Sequence, residues 1–167
     1  MLWTAIPSRP LRGHIEMKNK TQSILTGVAG EYFVAAELSR RGHIASITLR
    51  NTRGMDILAT NLDASRSITI QCKTTQKSRK AWLLNEKCED FHSPEHFYVF
   101  VALGSVDARP FYHIVPSRIV AERVRTGHRN WKRKRKREDG EGAGETSVRL
   151  FSDADDEFLE KWDLLRL

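Results

Sequence analysis

The stretch Ser67-Ile-Thr-Ile-Gln-Cys-Lys-Thr-Thr75 reads as a β-strand, because β-branched residues dominate it. Side chains alternate along a strand, so Gln71 and Lys73 share one face while Cys72 points to the other, as a small core residue does. A lone lysine in a strand is ordinarily a solvated or edge residue. What singles out Lys73 is the apolar and β-branched context of Ile68, Thr69, Ile70, Thr74 and Thr75, in which two polar side chains sit on one face. Upstream, Asp56 opens a strand over Met55–Thr60, and a hairpin through Asn61–Arg66 brings its carboxylate beside Gln71. A hard divalent cation fits between them. Asp56 also fits a plainer reading, in which it closes a turn with Gly54.

Further upstream the spacing predicts a helix over about Thr21–Arg41, capped by Asn19 or Thr21 and stopped by Gly42. Arg40 and Arg41 suit the negative end of its dipole. Gly27 and Gly30 permit close backbone approach. Ile24, Val28, Glu31, Ala35 and Leu38 recur on one face, which carries the carboxylate of Glu31 toward the core. A buried acid needs a partner. A core arginine, Lys73, or a position at the edge of the stripe would each account for it.

Taken in order, Glu31, Asp56, Gln71 and Lys73 resemble the PD-(D/E)xK nuclease superfamily, and the stretch from Gly27 to Gln76 looks like its Holliday-junction-resolvase-like branch. Asp56 matches the first acid of the motif, Lys73 its lysine, and Glu31 the helical glutamate of that branch. Gln71 departs from it, standing where most members carry Glu or Asp, although some nicking subunits and VRR-type nucleases also have Gln there. The resemblance implies an α/β, restriction-endonuclease-like core: a mixed β-sheet flanked by helices, in the order helix, three-stranded meander, further strands and C-terminal helix. It implies Mg²⁺ or Mn²⁺ held by Asp56, the Gln71 oxygen, the Cys72 carbonyl and Glu31, with DNA as the substrate. Lys73 would then orient the attacking water or neutralise charge at the phosphate, and Thr74, Thr75 and Gln76 would bond the flanking backbone. Relatives of this branch are commonly dimers, so a homodimer is among the implied partners.

After Gln76 the match loosens, and the family's usual crossover helix is not evident. Lys80–Leu84 reads as an extra strand, Glu86–His92 as a short helix, His96–Leu103 as a central strand covered on both faces, and Phe111–Val115 as another strand. A helix is expected from Pro116 and Ser117 to near Gly127. A last one is expected over Asp153–Leu167, capped by Ser152, with Asp155 and Asp156 at its start and Phe158, Leu159, Trp162 and Leu165 as its buried stripe. No internal repeat is present.

With 167 residues, 40% hydrophobic and 29% charged, the chain suits one globular domain. No run long enough to span a bilayer occurs, and Met1–Arg12 lacks the apolar region of a secretory signal, so a cytoplasmic protein is expected. Two cysteines make no disulfide framework. Residues 1–16 read as a flexible appendage, with Met17 as an alternative start, followed by a core over 17–127. A flexible basic and Gly/acid-rich segment over 128–147 and a C-terminal strand and helix over 148–167 complete the chain.

Removing the unbroken run Lys132, Arg133, Lys134, Arg135, Lys136 and Arg137 would leave a net charge of +1 from the total of +7. Such a run suits nucleic-acid phosphates, a nuclear-localisation signal, or a solvated segment. Cys88, His92 and His96, with Cys72, superficially resemble a zinc site, but Pro94 interrupts the histidines and Cys72 would have to leave the core. His43, His113 and His128 read as surface or strand residues. No phosphate-cradling Gly-rich loop or nucleophile elbow is present. Beside the nuclease stand two further readings: a catalytically degenerate DNA-binding or assembly subunit, and a protein-interaction domain.

Overall fold

The computed structural model describes residues 12–49, 54–76, 80–139, 144 and 146–167, with the side chains of 12–20 and 137–139 excepted. In chain order the elements are α1 (Arg12–Arg40), β1 (Ile44–Ile47), β2 (Ile57–Thr60), β3 (Ser67–Thr75), β4 (Ala81–Asn85), a 3₁₀ turn at Glu86–Glu89, β5 (His96–Ala102), β6 (Phe111–Pro116), α2 (Ser117–Asp139), β7 (Val148–Ser152) and a 3₁₀ turn at Trp162–Leu165. The fold is α/β. A five-stranded mixed sheet runs in the order β1-β2-β3-β5-β6, with β3 and β5 parallel and the other neighbours antiparallel. β4 and β7 pair separately as a two-stranded antiparallel sheet. Among the described residues no helix is long and apolar enough to cross a membrane.

The expected meander forms because Asn61 closes its hairpin, its side-chain oxygen accepting from the Arg66 amide at 3.0 Å and its amide nitrogen donating to Ser65 Oγ at 2.9 Å. Parallel strands need a long crossover. Here the connection from β3 to β5 is built from β4 and the 3₁₀ turn rather than from a helix. β5 is buried along its whole length, as its apolar sequence requires. On one side of the sheet, Val34 and Leu38 of α1 pack on Ile57, Ile70, Cys72 and Val99. On the other side, Val120 and Val124 of α2 join Trp82, Phe100 and Phe151. The Phe100 and Phe151 rings stack at 4.3 Å, which fastens the two-stranded sheet onto the larger one.

Four expectations are corrected. α1 begins at Arg12 instead of Thr21, so Asn19 and Thr21 lie inside the helix and cap nothing. Residues 12–16 thus form its first turns, while 1–11 lie outside the described residues. No proline occurs between Arg12 and Arg40, and Glu, Met, Lys and Gln propagate a helix well. Its buried stripe is also rotated from the expected one: Gly30, Val34, Glu37 and Leu38 are buried, Glu31 is half-buried, and Ile24 is exposed. The buried acid of this helix is therefore Glu37, which receives the guanidinium groups of Arg40, Arg41 and Arg109 at 3.0–3.2 Å.

α2 passes through Gly127 and continues to Asp139, so the basic run expected in a flexible segment is helical. An isolated helical glycine costs only about 1 kcal/mol, and cations toward a helix C-terminus are favoured by its dipole. Much of the Gly/acid-rich stretch that follows lies outside the described residues.

The expected C-terminal helix does not form. Ser152 ends β7, and the tail runs beside β6, where the Ile114 amide donates to the Phe158 carbonyl at 3.0 Å and the Glu160 amide to the Tyr112 carbonyl at 2.8 Å. A helix would line up Phe158, Trp162 and Leu165 on one face, yet Phe158 fills the α2-side core and the other two the α1-side core. Left-handed backbone at Asp156, Glu160 and Arg166 makes the required turns and covers an otherwise open sheet edge.

His113, expected at the surface or in a strand, lies in β6 and is buried, its Nδ1 2.6 Å from Asp153 Oδ2. The same oxygen accepts from the Phe158 amide at 3.0 Å. Asp153→Asn keeps an acceptor but loses the charged bond, and is expected to cost about 1–2 kcal/mol, read as a lower midpoint of thermal unfolding.

Candidate active site

β3 is held in register by β5, with Gln71 opposite Tyr98 and Lys73 opposite Phe100. Alternation therefore turns Gln71 and Lys73 toward the two-stranded sheet and Cys72 toward α1. Both polar side chains are half-buried and line a cleft of about 260 Å³, together with Gly54, Asn85, Lys87 and Phe91. Gly54 has φ +66°, and a Cβ there would meet the Phe91 ring at 2.9 Å, so the turn before Asp56 needs glycine on both counts.

Asp56 sits one residue before β2 and extends its pairing. Its amide donates to the Ile70 carbonyl at 2.8 Å, and its carbonyl accepts from the Thr48 amide at 2.9 Å. The carboxylate turns onto β3, where Oδ2 accepts from the Cys72 amide at 2.8 Å. It lies against the Gln71–Cys72 peptide, one residue before Lys73.

α1 meets β3 at Gly30, where an added Cβ would stand 1.8 Å from Thr74 Oγ1. That hydroxyl is buried with no hydrogen-bond partner among the described residues. Glu31 follows directly on the helix. Burial pushes the Cys72 thiol well above its ordinary value, the carboxylates of Asp56 and Glu31 push it further, and Lys73 opposes them. The fields of three of the expected residues thus converge on one sulfur. Burial also raises the Asp56 carboxyl above its ordinary 3.8, against the opposing pull of the Cys72 amide and Lys73.

Of the residues expected to bind nucleic acid, Thr74 and Thr75 line a second cleft of about 570 Å³ with Lys73 and Ser23, and Gln76 is exposed at the end of β3. Lys132 through Lys136 lie on α2, away from the lining of either cleft, and the Arg137 side chain lies outside the described residues. The alternative zinc set is not assembled. Cys72 and Cys88 belong to cores on opposite faces of the sheet, His92 is exposed, and His96 is buried beside Thr69, its Nδ1 2.9 Å from the hydroxyl. Among the described residues, His113, Asp153 and Asp156 form a set of three His, Cys, Asp or Glu groups close enough to share a cation.

Sequence reasoning missed Asn85, Lys87 and Phe91, which the crossover brings to Lys73. Only Asn85 carried a local signal, as a capping residue before Glu86; its side chain accepts from the Lys87 amide at 3.1 Å. No protein-family model matches this chain, and no curated protein or solved structure matches it either.

Proposed function

We propose that the protein is a Mg²⁺- or Mn²⁺-dependent DNA endonuclease of resolvase-like type, built on a restriction-endonuclease-like core and acting in the cytoplasm. The observation that carries this reading is the Asp56 carboxylate bonded to the Cys72 amide between Gln71 and Lys73. The donors fit a hard cation: two carboxylates, an amide oxygen and the Cys72 carbonyl are all oxygen ligands. Burial of Asp56 supports the fit, since a carboxyl raised by desolvation gains from a cation what it lost in water. A bound cation would acidify a water and polarise the scissile phosphate.

The chain's own groups would do the rest. Oδ2 of Asp56 is committed to the Cys72 amide, which fixes the carboxylate plane and leaves Oδ1 to the cation. The Lys73 ammonium would hold the attacking water or offset charge accumulating at phosphorus. Thr75 and Gln76, at the end of β3, would bond the flanking phosphates. α2 supplies attraction over a longer range. It carries ten of the 28 basic residues and three of the 21 acidic ones, so the full net charge of +7 sits on it and the rest of the chain is balanced.

Gln71 favours a second reading, a nuclease-fold DNA-binding or assembly subunit that has lost metal affinity, because a neutral amide contributes a dipole where a carboxylate adds a charge. Cleavage of labelled duplex, nicked, branched and single-stranded DNAs with Mg²⁺ or Mn²⁺ separates the two. Cutting that is lost in the Lys73→Ala, Asp56→Ala double variant supports the nuclease. Salt-sensitive binding by both proteins with no cutting by either supports the degenerate subunit. Gln71→Glu is expected to tighten Mn²⁺ binding by about tenfold in titration calorimetry; unchanged affinity would remove Gln71 from the ligand set.

A further inference from the structure

The two-stranded sheet buries one face and leaves the other open. Trp82, Leu84 and Phe151 point into the α2-side core. On the outer face, Leu83 and Leu150 form a cross-strand pair, 69% and 57% exposed, with Val148 beside them at 50%. A solvated sheet face normally carries polar residues, so three large aliphatic side chains there point to a partner. α2 borders this face, and the groove between them, about 570 Å³, is lined by Arg123, His128 and Trp131 as well as the aliphatic residues. The His128 ring stacks on Trp131 at 5.4 Å, and Arg135 lies 5.8 Å over the Trp131 ring. Leu83 and Leu150 also line the cleft that contains Lys73, so the groove opens into it.

Few partners combine apolar faces with a continuous anionic chain. The outside of a duplex presents phosphate and sugar, and an apolar floor gains little from it. A single strand offers base faces that lie on leucine and tryptophan, with phosphates that meet the helix holding all of the protein's net charge. An anionic membrane shares this chemistry, but it would engage a protruding face rather than a concave groove.

We infer that the groove between α2 and the outer face of β4 and β7 binds single-stranded DNA and leads it across Leu83 and Leu150 to Lys73. This rests on the proposed nuclease reading and adds to it the kind of strand delivered: a flap, overhang or unpaired arm.

The test is binding without cleavage. Fluorescence anisotropy in EDTA compares an oligothymidylate of about twelve nucleotides with a blunt duplex of the same length. Trp131→Ala is expected to weaken single-strand binding by about tenfold and leave duplex binding unchanged. Leu83→Glu, at an exposed position where folding is not at stake, is expected to do the same and to slow cutting of overhangs more than of duplex. Equal loss on both nucleic acids, or no loss on either, would overturn the inference. So would a Trp131→Ala defect confined to phosphatidylserine vesicles, or a changed oligomeric mass by light scattering, since these assign the groove to a membrane or to a second copy. Because the binding assay contains no metal, single-strand selectivity can hold where cleavage fails. Metal-dependent cutting that ignores both variants would remove the track and keep the nuclease.

Discussion

Asp56→Asn is expected to lower metal-dependent cleavage by about 10²–10³-fold and, in metal-free buffer at neutral pH, to raise the midpoint of thermal unfolding. The two effects share one cause. Burial holds the Asp56 carboxyl above its ordinary 3.8, so the folded protein binds that proton more tightly than the unfolded chain does. For a raised carboxyl the sign is fixed by linkage. Its contribution favours folding below the ordinary aspartate value and is lost as pH climbs through the raised one, which leaves a penalty at neutral pH. Asparagine is never charged there, and its oxygen still accepts from the Cys72 amide, so the penalty goes while the β3 contact stays. Saturating Mg²⁺ or Mn²⁺ should reverse the order by stabilising the wild type alone. The affinity of the metal-free wild type for Mn²⁺ should also fall as acid protonates Asp56, since proton and cation compete for one carboxylate. A destabilised Asn variant that still cuts would show that Asp56 is a structural turn residue.

Gly30→Ala is expected to cost about 2–3 kcal/mol, lowering the unfolding midpoint by roughly 5–10 °C, although alanine is the better helix former. The new Cβ would lie 1.8 Å from Thr74 Oγ1 and 2.9 Å from both Thr74 Cβ and Cγ2. Rotating the hydroxyl away leaves the Cβ contact in place, so α1 itself must shift. Gly27→Ala is the internal control. Its Cβ would meet nothing within 4 Å, and the change should stabilise the protein by about 0.5–1 kcal/mol. Thr74→Ala should restore part of the loss, since it removes Oγ1 and Cγ2 while leaving Cβ. The shift should also slow cleavage, because Glu31 is the next residue along the displaced helix. Equal tolerance of alanine at 27 and 30 would mean that α1 does not sit tightly on β3.

The meander around β3 was legible because its signals are local. Alternation separates Cys72 from Gln71 and Lys73, and turn residues close the hairpin at Asn61. The approach of α1 was legible only as permission, through Gly27 and Gly30. Which glycine is used depends on how the helix rolls, and that roll buries Glu37 among three arginines and leaves Glu31 half-buried at the edge.

The tail was misread because Phe158, Trp162 and Leu165 have helical spacing, and spacing cannot reveal that the core has two sides to fill. Gly127 misled for the related reason that one weak residue does not end a helix that continues into a run of strong helix formers, Lys132 to Arg137.

What the sequence by itself determined, then, is the order of the first strands and which residues share a face of β3, because each follows from periods of two to four residues and from turn chemistry. Only the tertiary structure decided that the Asp56 carboxylate meets the Cys72 amide, that Asn85, Lys87 and Phe91 wall the cleft beside Lys73, and that the protein's entire net charge rides on one helix. The first two join residues apart along the chain, and their formation rests on the burial of apolar surface by the whole fold rather than on any local preference.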